Sequence, residues 1–269
     1  MKFTVLTLFP EIPRAFFENS IMAKAVEKGI IAYDLVNIRD FALDKHKKCD
    51  DAPYGGGAGQ LMMTEPLSRA LDSVKASRKR VIYVTPAGTP FTQKKAVELS
   101  REDELVFICG RYEGIDQRVI DFYVDDEISI GDYVMSSGEL AATVMVDAIY
   151  RLIDGVISSD SLAEESHSDG LLEYPQYTRP EVYKGLKVPE VLLSGNHELI
   201  RKWRLKKRLE KTLRVRPDMI WEARKNNQLS LEAELMIEEI TEQTAIKNCK
   251  KKQKLARKQL RESVNPGDL

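Results

Sequence analysis

An α/β fold built on a parallel sheet, followed by a small all-helical domain, is what this 269-residue sequence predicts, on three observations. Short β-branched runs alternate with helical periodicity through the first half, the pattern of strands joined by crossover helices. A stretch rich in Ser, Asp, Glu, Gly and Pro, VISSDSLAEESHSDGLLEYPQYTRP at 156–180, then interrupts the chain. Beyond it, Glu198–Leu213 and Leu229–Lys258 hold helix formers without Gly or Pro.

Taken in order, Phe3–Leu8, Tyr33–Ile38, Val81–Thr85 and Leu105–Cys109 read as strands, because β-branched and aromatic residues fill short runs bounded by turn formers. Ser68–Lys75 reads as one of the intervening helices. A helix over Glu139–Ile153 closes the domain, with Leu140, Val144, Ala148 and Leu152 recurring at i+4 as its apolar stripe. These readings give a first domain over 1–160, a flexible linker over 161–176 and a helical domain over 177–269, its lysine-rich end frayed.

Bulk properties narrow the class. With 43% hydrophobic and 31% charged residues the chain reads as globular, and no apolar run reaches the length that crosses a bilayer. The start, MKFTVLTLFPEI, lacks the charged, apolar and small-residue order of a signal peptide, so a cytoplasmic location is expected. Cys49, Cys109 and Cys249 are far apart and show no metal-ligand spacing, and His46, His167 and His197 are equally scattered. The cysteines read as reduced and structural, and no metal site is expected from spacing. The net charge of −1 conceals a split, since residues 1–200 hold 22 basic and 32 acidic side chains and residues 201–269 hold 19 and 10. A basic C-terminal third beside an acidic body makes nucleic acid the leading partner.

Neither GxGxxG after the first strand nor GxxxxGK[ST] is present, which argues against a dinucleotide site or a P-loop. Glycines cluster instead in PYGGGAGQLMM (53–63), CGRYEGIDQRV (109–119) and SIGDYVMSSGEL (129–140). Any one cluster alone reads as tight turns. Three together, each after an extended run, read as a pocket lined by main-chain groups that suits an adenosine and an amino-acid tail. Residues 201–216, RKWRLKKRLEKTLRVR, carry nine basic side chains against the single acid Glu210, with Trp203, Leu205, Leu209 and Leu213 as the apolar face. Such a run is either a solvated helix face or a phosphate-binding surface.

The segments CGRYEGID, SIGDYV, PYGGGAG, YPQYTRPEVY, VPEVLLSGNHELIRKWR and TLRVRPD resemble, in order and over residues 1 to about 225, the bacterial tRNA (guanine-37-N1)-methyltransferases of the TrmD family. The resemblance implies a SPOUT fold, whose parallel sheet ends in a deep trefoil knot, and a homodimer with an active site shared between protomers. It implies S-adenosylmethionine as methyl donor, N1 of guanosine 37 as acceptor, the anticodon stem and loop of tRNA as partner, and an assisting Mg2+. Carried over residue by residue, the donor site falls on Pro86, on Gly110, Tyr112 and Glu113, and on Ile130, Gly131, Asp132, Tyr133, Val134, Met135 and Gly138. Two departures stand here: Ser137 where the family often has glycine, and Ala141 where it often has proline.

The guanine acceptor must lose its N1 proton, so a carboxylate base and a cation near O6 are the natural partners. Arg151 matches the family's arginine. The family's aspartate stands before a serine in the linker, which places Glu165 there, with Asp169 as the alternative. Tyr177, Arg179, Arg201, Lys202 and Arg204 fall in the segments that the resemblance implies grip tRNA. Two further readings remain open from sequence: a related knotted methyltransferase acting elsewhere on RNA, and a non-catalytic RNA-binding protein that retains the fold.

Overall fold

The computed structural model describes residues 1–158, 165–167 and 169–263. Residues 161–164 and 168 of the expected linker, and the side chain of Cys249, lie outside the described part. The chain divides into two units, Met1–Leu162 and Ala163–Leu269.

In the first unit the elements run β1 (Lys2–Thr7), α1 (Glu11–Phe17), α2 (Ser20–Glu27), β2 (Ala32–Asn37), β3 (Asp50–Asp51), β4 (Leu61–Met62), α3 (Thr64–Ser73), β5 (Arg80–Pro90), α4 (Gln93–Leu99), β6 (Glu104–Cys109), α5 (Gln117–Tyr123), β7 (Asp126–Ser129) and α6 (Gly138–Tyr150). Five strands form one sheet in the order β2-β1-β6-β5-β7, every neighbouring pair parallel. A parallel sheet is covered on both faces, so its central strands are buried throughout. Alternation then decides which helix layer each side chain meets. Phe3, Val5, Ile82, Val84, Leu105 and Phe107 pack with residues of α1, α2, α4 and α6. Leu6, Val81, Tyr83, Val106 and Ile108 pack on the other side with α3 and α5.

The four strands read from sequence are β1, β2, β5 and β6, each within a residue or two at its start. Helix α6 differs from its expected stripe. Leu140 and Val144 are 59% and 51% exposed, whereas Ala141, Ala142, Met145, Val146 and Ile149 are buried. The i+4 series singles out large side chains, but the face that meets the sheet is the one whose small residues let the helix approach β6 closely. The helix also ends at Tyr150, with Leu152 and Ile153 in the turns that follow.

The second unit opens with a hairpin, β8 (Val182–Tyr183) and β9 (Leu186–Lys187), turned by Lys184 and Gly185 at φ 49° and 79°. Two residues at positive φ are what a tight hairpin turn demands. Four helices follow: α7 (Glu190–Leu193), α8 (His197–Val215), α9 (Pro217–Lys225) and α10 (Leu231–Ser263). The lysine-rich end is helical as far as Ser263. Leu209, Ile220, Ala233, Ile237 and Ile240 form the core, joined by Leu171 from the segment read as linker; Leu172 and Tyr174 are buried too.

Candidate active site

The strand ends decide the site. Strand β5 pairs with β7 up to Val84↔Ile128 and resumes at Thr89↔Ile128, so Thr85–Gly88 leave the ladder as an excursion. Gly88 is what lets the chain return: a Cβ there would lie 2.5 Å from backbone atoms of Glu127 and Ile128. Helix α6 begins against the end of β6, where a Cβ on Gly138 would stand 2.9 Å from the Cys109 Cα, and the Gly138 N–H donates to the Gly110 carbonyl at 3.0 Å.

Between these loops lies a cavity of about 300 Å³ at the carboxyl ends of β5, β6 and β7. Pro86, Gly110, Tyr112, Glu113, Ile130, Gly131, Tyr133, Val134, Met135 and Gly138 all line it. Asp132 is not among the lining residues; it is exposed beside them. Reading from sequence missed Tyr83, Thr85, Ala87, Arg111, Ser129 and Ser136 on the same wall. The signal available for Thr85 and Ala87 was a Pro and a Gly directly after a β-branched run, which marks where a strand leaves its ladder. The first glycine cluster does not reach the cavity. It braces the second instead, the Glu113 N–H donating to the Gln60 carbonyl and the Met62 N–H to the Gly114 carbonyl, both at 3.0 Å.

The lining is tight and mixed in polarity. A Cβ on Gly110 would meet the Tyr83 ring at 2.9 Å, and one on Gly131 the Tyr133 ring at 2.5 Å, so both glycines keep the wall open where aromatic rings crowd it. Burial pushes the Tyr83 hydroxyl above the ordinary phenol range. Burial, then the carboxylate of Asp50, does the same at Tyr112, whose hydroxyl donates to Asp50 Oδ1 at 3.2 Å. Directly beneath, Cys109 is fully buried and its thiol is raised well above its usual value, first by burial and then by Glu139. A thiol held neutral in this way is a packing group, not a nucleophile.

The remaining sequence-predicted residues lie elsewhere. Arg151 caps the C-terminus of α6. The 13-residue helix carries it about 20 Å along the axis from Gly138 at the helical rise per residue. Glu165 and Asp169 belong to the second unit. Glu165 is half-buried, while Asp169 is exposed and accepts both terminal nitrogens of Arg208, Nη1 at 2.8 Å on Oδ2 and Nη2 on Oδ1.

Within the second unit, Tyr177 sits 6.3 Å from the Trp203 ring, centroid to centroid, and it lines a surface groove with Arg179, Val188 and Leu192. Arg201 is forked between Glu198 and Glu232, Lys202 lies 3.5 Å from Glu198, and the Arg204 guanidinium stacks 4.7 Å from the Tyr174 ring centroid. The Arg201 fork lowers the Glu198 carboxyl to about 2. Much of the basic run is therefore engaged by carboxylates of its own unit: Lys206 pairs with Glu239 of α10, Lys207 with Glu210 on its own helix, and Arg216 with Asp218 in the first turn of α9.

A parallel α/β unit whose glycine-bearing loops enclose a cavity at the carboxyl edge of its sheet belongs to the class of proteins that hold a small molecule at that edge. The tRNA (guanine-1)-methyltransferase TrmD family model matches residues 1–222, and the chain belongs to that family. A tRNA (guanine-N(1)-)-methyltransferase of Treponema denticola is 71% identical over 239 residues, covering 89% of this chain and 98% of the relative. Proteins of the same name from Borrelia duttonii and Treponema pallidum are 62% and 59% identical, the matches covering 81% and 89% of this chain and 92% and 96% of theirs.

Proposed function

We propose that this chain transfers a methyl group from S-adenosylmethionine to N1 of guanosine 37 in tRNA. Family membership makes it a tRNA (guanine-N1)-methyltransferase, with S-adenosylmethionine as the methyl donor. The observation that carries the rest is the convergence of ten residues carried over from the family resemblance, from three distant segments, on one cavity at the strand ends. The cavity fits the donor: its glycines leave room where a Cβ would collide, and Ile130, Tyr133 and Met135 supply apolar walls. When bound, the donor supplies a methyl group on a sulfonium, an electrophile.

The chain's own residues prepare the acceptor. Ile130, Tyr133 and Met135 keep water from the reacting centre. A carboxylate takes the N1 proton, and Glu165 is assigned that role over Asp169 by its place directly before Ser166, where the family's aspartate stands. Arg151 offsets the negative charge that develops on O6. Because α6 carries Arg151 away from its own cavity, the arginine acts on the site of a second protomer, in a homodimer with shared active sites and with the knotted sheet of the SPOUT fold. The first unit thus binds the donor, and the second grips the anticodon stem and loop through Tyr177, Arg179, Lys202 and Arg204, with Arg201 holding the helix that carries the last two by its fork on Glu198 and Glu232. For Mg2+, the described residues offer no group of three or more His, Cys, Asp or Glu side chains as ligands; turnover across a chelator titration tests its involvement.

Nucleoside analysis of a tRNA transcript with guanosine at 36 and 37, before and after incubation with enzyme and labelled donor, tests the assignment. Label appearing as 1-methylguanosine at position 37 is the expected result. Label at another nucleoside, or none, overturns it.

A further inference from the structure

One cluster beside the cavity has no part in the chemistry above. Glu139, the second residue of α6, is 0% exposed, an unusual place for a carboxylate. Its Oε1 accepts from the Thr7 hydroxyl at 2.6 Å, and Thr7 Oγ1 in turn accepts from the Phe9 N–H at 2.9 Å. Its Oε2 has no hydrogen-bond partner and lies 3.5 Å from Nε of Arg111, itself buried and without a hydrogen bond. The Arg111 guanidinium stacks over the Phe9 ring, 4.3 Å from its centroid.

This arrangement joins the end of β1, the loop after β6 and the first turn of α6, whose helix dipole favours a carboxylate at that position. Placing two charges in the interior is costly, and satisfying one oxygen on Thr7 does not require an arginine opposite the other. What the pair does fix is the direction of a guanidinium. With its Nε turned inward to Glu139 and its face against Phe9, Arg111 still lines the cavity and keeps 22% of its side chain exposed. Among the described lining residues it is the single cation, and Glu113 is the single anion.

We propose that Arg111 is the anchor for the carboxylate of the donor's amino-acid end, and that Glu139 is the positioning residue that holds Arg111 to that task. The inference rests on the reading that the cavity takes S-adenosylmethionine, and it goes further by assigning one end of the ligand to one side chain.

Calorimetric titration of the full-length protein with S-adenosylmethionine, and separately with 5′-methylthioadenosine, which lacks the amino-acid end, tests it. Glu139→Gln keeps the acceptor for Thr7 and removes the charge facing Arg111; Arg111→Lys keeps the charge balance and removes the fork. Both variants are expected to weaken S-adenosylmethionine binding about tenfold or more, the size of a lost charge-assisted hydrogen bond, and to leave methylthioadenosine within about twofold of the wild type. Equal weakening of both ligands, as a merely structural role gives, overturns the proposal, as does wild-type affinity for both. If Glu139→Gln does not fold, Arg111→Lys decides alone. A wild-type protein that binds neither ligand removes the functional reading together with this one. A wild type that binds both equally well removes this one only.

Discussion

Replacing Arg151 with alanine separates the two halves of the proposed reaction, because that side chain stands at the end of α6 remote from the Gly138 end. Turnover is expected to fall about 10²- to 10³-fold, the usual loss for one preorganised donor to a developing oxyanion, with donor affinity unchanged. Normal turnover in single-turnover assays removes the role. The two linker carboxylates divide in a different way. Glu165→Gln is expected to lower kcat by about 10²-fold or more, as loss of a general base does. Asp169→Asn is expected to spare kcat and lower the melting temperature, because it frees Arg208, whose side chain is 12% exposed. A kcat loss confined to Asp169→Asn reverses the assignment. Ten of the eleven residues read from sequence as the donor site line one cavity, since glycines at strand ends leave a pattern. Arg111 and Glu139 were not legible, because a carboxylate buried between three elements has no periodicity and reads in sequence as an ordinary charged residue at a helix start.

At the scale of elements, the excursion of β5 is the feature on which the cavity depends. Gly88→Ala sets a Cβ against the backbone of β7, which cannot swing aside as a side chain does. A stability loss of about 1–3 kcal/mol in urea denaturation is expected, together with weaker donor binding as Thr85–Ala87 shift. Unchanged stability means that β7 yields without cost. The opposite end of the same strands holds Arg80, forked onto Asp126 and reaching Glu98 and Glu102, with Lys95 also on Asp126. Burial alone raises the Asp126 carboxyl, but Arg80 and Lys95 outweigh it and leave it below its ordinary 3.8. A depressed folded value means stability present above about pH 4 and lost as pH falls through the lowered value. Asp126→Asn should therefore destabilise at neutral pH and flatten the acid limb of a melting-temperature profile; an unchanged acid limb refutes the linkage. The strands were readable because buried parallel strands are continuous β-branched runs. Strand β7 and the excursion were less so, since four residues, DEIS, and a mid-strand detour are set by pairing with distant partners.

The whole molecule carries its opposite charges on different units, and the sequence count overstated how many cations are available to RNA. On α8, Arg201, Lys206 and Arg208 are committed to Glu232, Glu239 and Asp169, so their first effect is on the second unit's own packing. Lys211 and Arg214 have no ion pair among the described residues. Phosphate contacts release counterions, so each one adds to the slope of log affinity against log salt. Measured by filter binding over a salt series, Lys211→Ala and Arg214→Ala are each expected to reduce the tRNA slope by about 1 without lowering the melting temperature. Arg201→Ala should do the reverse, lowering the melting temperature by loosening α8 from α10 while changing the slope less. If Arg201→Ala changes the slope as much as the other two, its carboxylate partners must give way to phosphate on binding, and the ion pairs of α8 are then placeholders for RNA instead of struts of the fold.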